Sequence, residues 1–178
     1  ICRVQAGGRP RDAWRDYFHI ILARAGLPGP HHDDVIDTLW EAHQRFGLWT
    51  VGIDGAVETV RRLGSDGYRL GVVSNAEGNV ARDLDAAGFE GLFEVVIDSH
   101  VVGVEKPDPE IFRLALERLE ADNSTAVYVG DVPAIDVEGA RAAGLAPVLL
   151  DRHEIYPNPG VPRLTSIQEL PGWLDQKV

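Results

Sequence analysis

Five side chains in this 178-residue sequence are of the types, and at the spacings, that handle a phosphate group and a cation. Ser74 and Asn75 directly follow the apolar run "RLGVV". A hydroxyl at a strand tip, followed by backbone N–H groups without partners of their own, can hold a phosphate oxygen. Taken alone, the pair is also ordinary turn chemistry. Lys106, in "VEKPDPEIF", stands between an extended stretch and a helix that begins with proline. Held at such a place, its ammonium can neutralise negative charge that develops in a reaction. The plainer reading is a surface lysine beside a turn. Asp131 and Asp136, in "YVGDVPAID", lie just past another apolar run. Hard carboxylate oxygens suit Mg²⁺, which takes one or two protein carboxylates and keeps waters. The alternatives are a helix cap for Asp131 and a solvated helix face for Asp136.

The elements that must position these groups are legible from about Val51 onward. Runs at 69–74, 93–98, 126–130 and 146–151 are nearly continuously apolar and rich in valine, as in strands buried on both faces of a parallel sheet. Amphipathic segments near 78–88, 108–120 and 134–143 separate them. The alternation predicts an α/β fold with a doubly wound parallel sheet, whose ligands bind beyond the carboxyl ends of the strands. Gly26, Gly67, Gly88 and Gly144 each precede a hydrophobe after a helical pattern, the signature of a left-handed helix cap. Asp108, Pro109 and Glu110 mark a helix start, with a cap, a proline at the first position and an acid in the first turn. The first 50 residues carry two helical stripes and no strand pattern. One stripe holds Trp14, Tyr17, Phe18, Ile21 and Leu22, and the other Val35, Ile36, Leu39, Trp40 and Phe46. We therefore expect a helical segment over 1–50 and an α/β core over 51–178.

Composition narrows the partners. The net charge of −11 disfavours nucleic acid, whose phosphates are gripped by clustered Lys and Arg. It leaves room for a small anion, because a divalent cation and one lysine reverse the sign locally. No apolar run approaches the roughly 18 residues of a membrane span, and no signal peptide is visible. The single cysteine, Cys2, cannot form an internal disulfide, which fits a reducing, cytoplasmic setting. The histidines lack ligand spacing, and His31-His32-Asp33-Asp34 reads as a polar helix start. The tryptophans Trp14, Trp40, Trp49 and Trp173 read as packing residues, with Trp49 at the junction of the two parts as the exception to watch. An exposed apolar face on the helical segment would pair two copies as a homodimer.

The order of the motifs says more than any one of them. Strand-Ser-Asn, then Lys-Pro, then strand-Gly-Asp-x-x-x-x-Asp on alternating βα units resembles the haloacid dehalogenase superfamily, from about Asp54 to Leu150. The resemblance is carried by "GYRLGVVSNAEG", "VGVEKPDPEIFRLAL" and "VYVGDVPAIDVEGARAAG". It implies that Ser74 hydrogen-bonds a transferring phosphoryl group and that Lys106 stabilises the charge on that group and on the nucleophile. It further implies that Asp131 binds Mg²⁺, with Asp136 supporting the metal's waters or Lys106. The helical first 50 residues resemble the cap that selects substrates in this family. The activity implied is Mg²⁺-dependent hydrolysis of a small phosphorylated metabolite through an aspartyl-phosphate. A phosphomutase, a 2-haloacid dehalogenase and a non-catalytic phosphate-binding relative are the alternatives. One part is lacking. The family's first strand ends in Asp-x-Asp, whose first aspartate attacks phosphorus and whose second acts as general acid and base. Asp83-Leu84-Asp85 lies inside a helical pattern, Asp54 at a turn, and Asp98 on a strand that the family places away from the site. The chain has no methionine and begins at Ile1, so we expect an upstream strand to supply the nucleophile, and the 178 residues alone to be inactive. That strand would lie between those ending at Ser74 and Asp131, where its absence leaves two hydrophobic edges unpaired.

Overall fold

The computed structural model describes residues 10–177, and Cys2 lies outside them. Contacts divide the chain into two compact units, Ile1–Trp49 and Thr50–Val178. In the first, α1 (Pro10–Arg24) packs on α2 (His32–Phe46). Trp14 and Ile36 are buried in the contact, and Trp14 stacks on His43 at 4.8 Å and meets Trp40 edge-on at 5.4 Å. Arg15 joins the helices through Asp33 and Asp37. The histidines here serve packing and chain ends. His32 is buried with Nε2 2.8 Å from the Leu27 carbonyl, and His43 Nδ1 accepts the Leu48 N–H.

The second unit alternates helices and parallel strands. In order it holds α3 (Ala56–Ser65), β1 (Gly71–Ser74), α4 (Val80–Ala86), β2 (Val95–Asp98), α5 (Ser99–Val102) and α6 (Pro109–Arg118). Then come β3 (Val127–Gly130), a π-helical turn (Pro133–Val137), α7 (Glu138–Ala142), β4 (Ala146–Leu150), β5 (Arg163–Leu164) and α8 (Leu170–Leu174). Helix boundaries follow local chemistry. Gly67, Gly88 and Gly144 have φ of 91°, 90° and 85°, the left-handed region that glycine enters cheaply. The Asp108 carboxylate accepts the Glu110 N–H, and Pro109 opens α6.

The parallel strands form two sheets. β1 pairs with β2, from Gly71 opposite Val95 to Ser74 opposite Asp98. β3, β4 and β5 form the other, with Val127 opposite Ala146 and Gly130 opposite Leu149. Each sheet has its own core. Val95 and Ile97 pack with Ile111, Phe112, Ala115, Ala140 and Ala143, whereas Val148 packs with Leu63, Leu164 and Leu170. Between β1 and β3 runs an apolar groove of about 500 Å³, lined among others by Leu63, Val73, Phe112, Leu116, Val129 and Leu170. Among the described residues no strand fills it, so the facing edges of β1 and β3 lack ladder partners. The α/β class stands, with its sheet in two parts at the place where a central strand was expected. Among the described residues no helix is long and apolar enough to cross a membrane.

Candidate functional site

The carboxyl ends of β1 and β3 carry Ser74 and Asp131, and the turn before α6 brings Lys106 between them. The Lys106 ammonium lies 2.7 Å from Asp136 Oδ1 and 2.9 Å from the Tyr128 hydroxyl. The pair is withdrawn from water, with side-chain exposures of 12% for Lys106 and 4% for Asp136. Such a pair stabilises only when its remaining polar atoms are also satisfied. On the carboxylate side they are: Asp136 Oδ2 accepts the N–H groups of Asp131 and Val132, at 3.0 and 2.9 Å. The turn at Pro133–Val137 folds the chain back so that one carboxylate grips the start of its own loop and the lysine together.

The two acids differ in their surroundings. Both oxygens of Asp136 face protein donors, so its contacts are those of a support for Lys106. Asp131 is exposed, and its carboxylate accepts no hydrogen bond among the described residues. A free carboxylate at a strand tip is the donor a hydrated Mg²⁺ accepts. The described residues hold no group of three or more His, Cys, Asp or Glu placed to bind a metal, so Asp131 fits as one ligand within a larger set.

Asn75 has a different job from phosphate contact through its side chain. Its Nδ2 donates to the Lys106 carbonyl at 2.9 Å, and its Oδ1 accepts the Lys106 N–H at 2.7 Å. The two segments are thereby clamped main chain to side chain, while Ser74 Oγ makes no hydrogen bond among the described residues. The loop after Ser74 is braced from below. Buried Asp98 accepts the N–H groups of Gly78 and Val80, and the Ser99 hydroxyl accepts that of Ala76. Asp98, which the sequence set aside as a nucleophile, thus shapes the loop that Ser74 opens.

Two contributors escaped the sequence reading. Gly130 leaves room for Asp136: a Cβ there would lie 2.4 Å from both Asp136 Cβ and Cγ. Tyr128 was counted as part of an apolar strand, yet its hydroxyl touches Lys106, lies 3.2 Å from the Val73 carbonyl and 3.3 Å from Asp136 Oδ1. A signal existed, because a tyrosine inside a buried strand needs a partner for its O–H. Burial, then the charge and hydrogen bond of Asp136 and the charge of Asp131, push the phenol far above its ordinary value of 10.0. The folded chain keeps that proton where the unfolded chain releases it. Stability from this source is therefore complete below about pH 10 and falls above it, by about 1.4 kcal/mol per pH unit. Denaturant titrations between pH 9 and 11.5 should show that loss shrinking in Tyr128→Phe; equal slopes in the two proteins would contradict it.

Comparison with known proteins follows the same lines. Residues 4–144 match the family described as haloacid dehalogenase-like hydrolase. The mouse haloacid dehalogenase-like hydrolase domain-containing protein 3 is 33% identical over 143 residues, 80% of this chain and 57% of that protein. The plasmid phosphoglycolate phosphatase of Cupriavidus necator is 37% identical over 123 residues, 68% of this chain and 51% of that protein. The chain thus spans about half the length of the curated relatives it matches. Among solved structures, a phosphatase of Thermococcus onnurineus superimposes with a TM-score of 0.65 at 22% identity, covering 90% of this chain and 87% of that one.

Proposed function

Because this chain belongs to the haloacid dehalogenase-like hydrolases, we propose that it carries the phosphate-anchoring, charge-neutralising half of a phosphomonoester hydrolase. The observation that carries the reading is the withdrawn Lys106–Asp136 pair beside the tips of β1 and β3. An enzyme for phosphoryl transfer works mostly by positioning and by balancing charge, and these residues suit both tasks. Ser74 Oγ and the backbone N–H groups after it would hold the phosphoryl oxygens. Lys106, fixed by Asp136 and Tyr128, would balance the charge of the phosphoryl group and of the attacking carboxylate. Asp131 would contribute to holding Mg²⁺, which when bound supplies further neutralisation of the phosphate.

The nucleophile in this proposal is an aspartate on an extended segment seated in the groove between β1 and β3. Its carboxylate displaces the alcohol to give an aspartyl-phosphate, which water then hydrolyses. The apolar lining of the groove, and the unpaired edges on both sides, support a strand as its occupant. Relatives described as phosphatases support a phosphate ester as the substrate.

The test uses the full-length protein and p-nitrophenyl phosphate. We expect turnover that stops with chelator, returns with Mg²⁺, and falls by about a hundredfold or more in Asp131→Asn and in Ser74→Ala. Binding of vanadate with no turnover of any phosphomonoester would replace the hydrolase with a binding module. Release of halide from a 2-haloacid, insensitive to chelator, would replace it with a dehalogenase.

A further inference from the structure

An ammonium carries three N–H donors. In Lys106 two have fixed acceptors, Asp136 Oδ1 at 2.7 Å and the Tyr128 oxygen at 2.9 Å. With Asp136 as the only acceptor, the group could still turn about the N···O axis, and its other two donors would sweep a cone. A second acceptor off that axis stops the rotation and leaves one donor with one direction.

Tyr128 is built for the second position. It sits on β3, next to the strand's last two residues, and its ring meets Phe112 edge-on at 4.8 Å. Lys106 Nζ lies 5.5 Å from the ring centroid and 2.9 Å from the hydroxyl, which sets the ammonium beyond the oxygen end of the ring, where the phenol oxygen can accept from it. The hydroxyl proton has two acceptors within reach, the Val73 carbonyl and Asp136 Oδ1. Whichever it takes, a lone pair is left facing the ammonium. Burial keeps the phenol neutral, so it accepts as a dipole without adding a charge that would offset that of Lys106.

We propose that Tyr128 is a positioning residue that aims the third N–H of Lys106 at the transferring phosphoryl group. This rests on the hydrolase reading above. Asp136 holds the lysine in place, and Tyr128 sets its orientation.

Tyr128→Phe is the informative variant, because it keeps the ring against Phe112 and removes only the oxygen. In the full-length protein we expect kcat for p-nitrophenyl phosphate to fall by about 10- to 100-fold with KM within about threefold, since a group that acts on the transition state lowers kcat more than binding. A second readout needs no turnover. This sequence holds one other lysine, Lys177, which is exposed and serves as a reference. Brief acetylation followed by peptide mass analysis should show the Lys106-to-Lys177 labelling ratio rising several-fold in Tyr128→Phe, as the lysine leaves its bracket. A kcat within twofold of wild type, or an unchanged labelling ratio, would overturn the proposal. A wild-type protein that turns over no phosphomonoester would sink the hydrolase reading instead, and the labelling ratio would then decide on Tyr128 alone.

Discussion

Lys106→Met is expected to abolish turnover and to destabilise the fold by about 3–5 kcal/mol, because it leaves a buried carboxylate without its cation. Both effects come from the same 2.7 Å contact, so they need separating. The double variant Lys106→Met with Asp136→Asn does this. An asparagine can turn its carbonyl toward the N–H groups of Asp131 and Val132 and present its amide to the oxygen of Tyr128, which the methionine has left free. Every buried polar group then has a partner again, and most of the lost stability should return. Turnover should not, since the ammonium that the proposed function sets against the phosphoryl charge is gone. Urea titrations and initial rates on the single and double variants are sufficient. A single variant within about 1 kcal/mol of wild type would show that the pair is not coupled to the fold.

Gly130→Ala should be nearly as damaging, for a steric reason. The added methyl would meet Asp136 Cβ and Cγ at 2.4 Å and Oδ2 at 2.7 Å. No rotamer change of the methyl is available to relieve this, so the carboxylate must move. Moving it breaks the grip on Asp131, Val132 and Lys106 at once. A loss of about 3 kcal/mol or more is expected, at the upper end of overpacking costs. Gly172→Ala is the matched control: nothing lies within 4 Å of a Cβ there, and alanine at this helical position should be neutral or stabilising by up to about 1 kcal/mol. Thermal unfolding of the two variants side by side should show a large fall in one and none in the other. Similar midpoints would contradict the close approach of Gly130 to Asp136.

These contrasts show which parts of the molecule a sequence exposes. Strands β1 to β4 were readable because each is a short valine-rich apolar run, the pattern of a parallel strand, although only β2 and β4 hold buried residues and β1 and β3 are part-exposed. The glycine caps were readable because positive φ excludes most other residues. β5 was not, since Arg163–Leu164 is too short to carry a period. The division of the sheet was half visible: the motif order led us to expect a central strand, and among the described residues a groove lies between β1 and β3. Side-chain roles were harder. Asn75 is a polar residue in a turn, and only the fold brings Lys106, 31 residues away, against both ends of its amide. The donors around Asp136 were hidden as well, because only the turn at Pro133–Val137 brings both its oxygens against N–H groups and the Lys106 ammonium. Tyr128 was hidden by its neighbours, because a strand's apolar average conceals one hydroxyl.

The reciprocal Asn75–Lys106 clamp has a consequence for the energetics of binding. Immobilising a lysine side chain costs up to about 2 kcal/mol of rotamer entropy, and ordering each loop residue costs a further 1–2 kcal/mol. In this chain the Ser74 loop is ordered by Asn75, Asp98 and Ser99, and the lysine by Tyr128 and Asp136, before any ligand arrives. That entropy is surrendered during folding, so under the proposed function an incoming phosphate would meet a preorganised set of donors and lose little affinity to ordering them.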